Sequence, residues 1–202
     1  QRYLNFGLAK RDTQGLKNVF RTAMQIHVII ALVILLLGET IGLWFVLNQL
    51  VIPAERITAA FWVYQFSIIT CMVSVVSLPY IADIIAHERM SVFAYISIMD
   101  VVLKLLVVYA IQLTKFDKLI FYAFLILCVQ LIDRIIYNVY CKKHFQEVNF
   151  SFKVDKILFK EMSGFAGWSL WGNIASVLFT QGINILLNIF FGTAVNAARA
   201  IA

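Results

Sequence analysis

Hydrophobic and polar positions fall along this chain in long blocks. Five apolar stretches, 24–46, 58–82, 91–113, 118–140 and 162–190, are joined by short polar connections. A bilayer core needs about 20 mostly apolar residues per helix, and each stretch reaches that length. The pattern predicts an all-α, polytopic transmembrane helical bundle with about five complete spans. Ahead of the first span, 12–21 (DTQGLKNVFR) reads as a helix opened by Asp12 or Thr13, with Leu16, Val19 and Phe20 on one face. That segment is either an interfacial helix with its cations toward lipid headgroups or the first turns of the span itself. Pro53 marks the first outer turn. Pro79, late in the second span, is expected to kink it and free a carbonyl. Ser67, Thr70, Ser74 and Ser77 run along one side of that helix, where they either line a path or hydrogen-bond within the packing. Residues 144–160 form the one sizeable polar connection and read as a linker between two helical bundles. A turn is expected at 190–195, with a new helix opening at Asn196.

Composition sharpens the class. Of 202 residues 62% are hydrophobic and only 14% charged, with a mean hydropathy of +0.86, which excludes an ordinary soluble domain. The net charge of +6 does not form a basic stripe interleaved with aromatics, so no nucleic-acid partner is expected. The basic residues separate by end instead. Twelve fall on one side of the spans (Arg2, Lys10, Arg11, Lys17, Arg21, Arg89, Arg134, Lys142, Lys143, Lys153, Lys156 and Lys160) and three, Arg56, Lys115 and Lys118, on the other. Cytoplasmic loops carry the excess of Lys and Arg, so the N-terminal segment is expected in the cytoplasm. Cys71, Cys128 and Cys141 offer no CxxC and no His/Cys metal spacing, and no metal or other cofactor is expected. Gln1 follows no signal peptide, and the apolar pattern stops as a further helix would begin, so the chain reads as an interior piece of a longer protein.

Ionisable residues inside spans are the sharpest chemical signal, because each costs about 2.5–3.5 kcal/mol or more at the bilayer centre. Glu39 lies in the outer half of the first span. Asp100 and Lys104 sit near the middle of the third at i, i+4, either as a self-neutralising pair or with Lys104 facing a wet cavity that attracts an anion. Asp133 and Arg134 share an arc with Gln130, Tyr137 and Asn138 nearer the basic end, where their charges are expected to snorkel or line a vestibule. In the fifth span Ser169, Asn173, Ser176, Thr180, Gln181, Asn184 and Asn188 fall within about 140° of helical arc. That polar flank suits a hydrated cavity. His27, His87 and His144 have no nucleophile at useful spacing, and there is no HExxH, GxSxG or Gly-rich phosphate loop, so the chain does not read as an enzyme.

Several segments resemble the polysaccharide and O-antigen flippases of the MATE-like multidrug/oligosaccharidyl-lipid/polysaccharide exporter superfamily. They are RYLNFGLAKRDTQGLKNVF (2–20), GETIGLWF (38–45), PYIADIIAHERM (79–90), AYISIMDVVLKLLVVY (94–109), FAGWSLWGN (165–173) and QGINILLNIFFGTAVNAARAIA (181–202). The chain departs from the usual pattern at Lys10–Arg11, where similar proteins often carry glycine, and at 197–200, where they often read AARG. The resemblance implies a two-lobe fold around a central cavity. Residues 1–143 would supply part of the N-terminal lobe (the end of its second helix and helices three to six), 144–160 the cytoplasmic inter-lobe linker, and 161–202 the start of the C-terminal lobe. It implies a lipid-linked oligosaccharide on undecaprenyl diphosphate as substrate, carried across the bacterial inner membrane beside other glycan-assembly proteins. Amides hydrogen-bond sugars and cations meet diphosphate. Asn173, Gln181, Asn184 and Asn188 are then expected at the glycan, Lys104, Arg134 and Arg199 at the diphosphate, and Glu39 and Asp100 in ion or proton coupling. The rivals are a cation-coupled multidrug or metabolite exporter of the same fold and a membrane-embedded enzyme of the same glycan pathway.

Overall fold

The computed structural model describes residues 1–10, 12–50, 52, 54–114, 116–148 and 155–201; within these, the side chains of 54, 170, 171, 175, 176, 180, 184, 185, 188, 189 and 191–201 lie outside the description. Among the described residues there is no strand. The helices are α1 (Arg2–Lys10), α2 (Thr13–Leu37), α3 (Leu43–Asn48), α4 (Ile57–Ala86), α5 (Met90–Leu113), α6 (Lys118–His144) and α7 (Lys156–Ile201). A single π-helical turn, Gly38–Gly42, joins α2 to α3, so Thr13–Asn48 runs as one rod of 36 residues. That rod and α4, α5 and α6 are long and apolar enough to cross a membrane.

Local chemistry sets the helix ends. Asp12 caps α2, its carboxylate accepting from the Gly15 N–H at 2.8 Å. Asp117 does the same for α6 with the N–H groups of Leu119 and Ile120, and it also pairs with Arg56 at 2.5 Å, tying the two turns at the end of the bundle opposite the N-terminus. α4 ends in a Schellman motif: Arg89 N–H donates to Ile84 O and Glu88 N–H to Ile85 O, both at 3.0 Å, while Glu88 takes φ 57°. Glycine is the usual residue at that left-handed position. The turn is tight enough to send α5 straight back along the bundle.

α4 is the central helix, packing on α2, α6, α5 and α1. Its hydroxyls do not open a path. Ser67, Thr70 and Ser77 each donate to the carbonyl four residues back at 2.7 Å, leaving no donor to aim outward. Near the other end, Tyr64 donates to Gly38 O at 2.7 Å, a carbonyl of the π turn. A Cβ on Gly42 would meet the Tyr64 hydroxyl, so glycine is required for this approach.

The core lies at the basic end. Phe20 and Met24 of α2, Tyr80 and Ile84 of α4, Ile96 of α5 and Tyr137 and Cys141 of α6 form one buried cluster, closed below by Phe145 and Val148. Leu16, Val19 and Phe20 are all in the interior, which makes 12–21 the start of the long helix and not a separate interfacial one. Of the linker expected over 144–160, residues 149–154 lie outside the described residues. α6 runs to His144, and the next residues turn back under the bundle with Phe145, Glu147 and Val148 buried, because two apolar side chains there have a core to enter. The turn expected at 190–195 is absent. α7 continues through it, since that stretch has no proline and its Ala-rich continuation favours helix. The first turns of α7 are docked, with Leu158 and Met162 packed beside Leu4 and Leu16, whereas Trp168, Val177, Leu178 and Phe179 are exposed.

Phe20 is 1% exposed and meets Tyr80 edge-on at 5.3 Å between ring centroids. Phe20→Ala is expected to cost about 3 kcal/mol through the cavity it leaves. Ile98→Ala, on the outer face of α5, should stay within about 0.5 kcal/mol of wild type. Unfolding of the purified protein in one fixed detergent measures both.

Candidate functional site

α5 and α6 bring together charges that the sequence left apart. Lys104 Nζ lies 2.7 Å from Asp100 Oδ2, one turn back on α5. The carboxyl of Asp133, on α6, lies near enough to feel the charges of both Asp100 and Lys104. Asp133 is 6% exposed. Snorkelling is therefore not its solution, because its side chain points between helices and not along one toward the interface. Oδ1 of Asp100 and Oδ1 of Asp133 are buried without a donor. An ionised carboxylate only accepts, so two of them sit side by side comfortably only with a proton or a cation between them. The self-neutralising pair expected of Asp100 and Lys104 exists, but as part of a triad holding one more acid than base.

The adjacent residue on α6 faces a different environment. Arg134 lays its guanidinium 4.2 Å over the Tyr80 ring, a cation–π contact between α6 and α4. Its Nη1 is buried with no hydrogen-bond partner among the described residues, and so is Oδ1 of Asn138, one turn further on. Both line a cavity of about 410 Å³ with Lys142, Tyr80, Met24, Val28 and Val76. Two cations, an amide and an apolar wall form a site for an anion with an apolar attachment. A larger groove of about 930 Å³ between α1, α2 and the start of α7 mixes Arg2 and Lys10 with Asp12, Asp155 and Glu161. Its charges offset one another, so it selects no anion.

Glu39, in the π turn, accepts from Gln65 Nε2 at 3.2 Å, a contact set separate from that of Asp100. Asn173 is exposed and donates to Ser169 O at 2.8 Å, within its own helix. Gln181 is exposed as well. The side chains of Asn184, Asn188 and Arg199 lie outside the described residues. Of the positions singled out by sequence, Asp100, Lys104 and Arg134 therefore cluster around α6, while Glu39 has a separate set of contacts. Sequence reasoning put Asn138 on the arc of Arg134 but missed Lys142 as their companion, although i, i+4, i+8 spacing puts all three on one face. Burial of Asp133 had no such signal.

Removing Lys104 should expose the imbalance of the triad. Lys104→Met is expected to destabilise by about 1–2 kcal/mol by leaving two acids without their cation, and Asp100→Asn on top of it should recover at least half of that loss. A double-mutant cycle of unfolding in detergent reads the coupling. Comparison of the chain with protein-family models, with curated proteins and with solved structures finds no match.

Proposed function

We propose that this protein is a membrane transporter that moves undecaprenyl-diphosphate-linked oligosaccharide units across the bacterial inner membrane by alternating access, for O-antigen or capsular polysaccharide assembly. The observation that carries the reading is the cavity around Arg134: an unpaired guanidinium nitrogen, a second cation at Lys142 and an amide at Asn138, beside an apolar wall. Planar guanidinium donors match the paired oxygens of a diphosphate, and the apolar wall suits the polyprenyl chain that leaves it. The excess of Lys and Arg at this end of the bundle supports a cytoplasmic placement, the side on which such carriers are loaded. The segment resemblances set out above agree with this reading. The Asp100–Lys104–Asp133 triad then serves coupling, taking a proton or cation in one state and releasing it in the other.

A second reading is favoured by that same triad, whose extra acid suits a cation-coupled exporter of small cationic compounds. One experiment separates the two. In cells lacking the chromosomal gene, full-length Arg134→Ala at wild-type abundance is expected to cut surface glycan at least tenfold. Carrier-linked units should build up on the cytoplasmic face, while Arg134→Lys keeps partial export. Wild-type glycan with Arg134→Ala sinks the flippase reading. Altered sensitivity to cationic compounds in its place promotes the exporter.

A further inference from the structure

At the basic end a second cluster of ionisable groups is left over. Asp83 lies in the last turn of α4, His87 caps its C-terminal end, and Glu147 comes from the segment that folds back after α6. Oxygen and nitrogen atoms of the three lie within 4.8 Å of one another. Asp83 is 0% exposed, and neither of its carboxylate oxygens has a hydrogen-bond partner among the described residues. Glu147, 6% exposed, likewise holds a buried Oε1 with no hydrogen-bond donor of suitable geometry.

The histidine is set for ligation. Its Nδ1 lies 3.0 Å from the backbone carbonyl of Asp83, which accepts and never donates, so the proton belongs on Nδ1. That leaves Nε2 unprotonated 3.0 Å from Glu147 Oε1, while Asp83 Oδ1 lies 3.6 Å from Nδ1. Phe145 stacks on the ring at 4.0 Å and 18°, holding its plane. A hydrogen-bonded Nδ1 and a free Nε2 are the arrangement in which a histidine meets a metal ion.

Two ways of neutralising the cluster differ in charge. A proton on Nε2 would offset one charge but leave Asp83 unpartnered, with two buried carboxylates against one imidazolium. A divalent cation instead balances both carboxylates and takes the lone pair of a neutral histidine. Metal–ligand bonds of about 2.0–2.2 Å ask the Nε2 to Oε1 separation to open only slightly.

We propose that Asp83, His87 and Glu147 form a site for a divalent first-row transition ion, with two carboxylates, one imidazole and a fourth position open to water. One carboxylate pair and one imidazole suit zinc or manganese better than calcium or magnesium. The ion would clamp the segment after α6 onto the end of α4. His87 is 21% exposed at its side chain, which leaves a way in. Sequence reasoning looked for His/Cys spacing and so passed over this set, which joins an i, i+4 acid–histidine pair to a carboxylate sixty residues further on.

The test is zinc binding to the untagged full-length protein, purified in detergent and stripped with chelator. Titration calorimetry should find one saturable zinc site per chain, with at least tenfold weaker binding in His87→Gln and in Glu147→Gln. X-ray absorption at the zinc edge should show nitrogen and oxygen neighbours without sulfur, a readout that needs only the wild-type protein if a variant does not fold. Zinc should also raise the melting temperature of wild type but not of His87→Gln. No saturable zinc binding by the wild type, sulfur in the ligand shell, or equal binding by variants with intact melting transitions would each overturn the proposal.

Discussion

A charge between apolar helices has to be compensated inside the bundle, because little water is there to do it. That constraint organises this protein more than any apolar contact does. Its inward charges sit on α4, α5 and α6, and several meet a partner from another helix or from the chain folded beneath. Asp133 meets Asp100 and Lys104, Arg134 meets the face of Tyr80, and His87 meets Glu147. Tyr80 shows how one residue serves several of these needs. Its ring takes the edge of Phe20 and the cation of Arg134, and its carbonyl accepts from Cys141 Sγ at 3.7 Å. It follows Pro79, in the part of α4 where the regular backbone ladder is interrupted.

The helices were legible in the sequence because each is a long apolar block closed by polar residues. The stretch 91–113 became Met90–Leu113, and 118–140 became Lys118–His144. Asp12 was legible as a cap because its side chain acts on the backbone three residues away. The site was harder to read. A helix apolar on most sides does not announce which side is inward, so Asp133 could be placed on an arc but not in the interior. Contacts across 60 residues of sequence, such as His87 with Glu147, have no local periodicity at all. The loop after α6 misled for a related reason: it reads as polar by average, while Phe145 and Val148 individually are core residues.

The excess acid of the triad and the excess base beside it lie on consecutive residues of α6, Asp133 and Arg134, but face different neighbours. In the proposed transporter one turn of helix would therefore be shared by a group for a cation or proton and a group for an anion. Any shift of α6 against α4 and α5 alters both at once. Sliding Arg134 off Tyr80 frees its guanidinium, and moving Asp133 from Asp100 changes how many cations the pair holds. In the proposed transporter this gives a direct route from coupling ion to substrate, through rigid displacement of one helix rather than a chain of intermediates. Clamping the end of α6 to α4 through Glu147 and His87 would restrain that displacement. The segment under the bundle then sets how freely α6 moves.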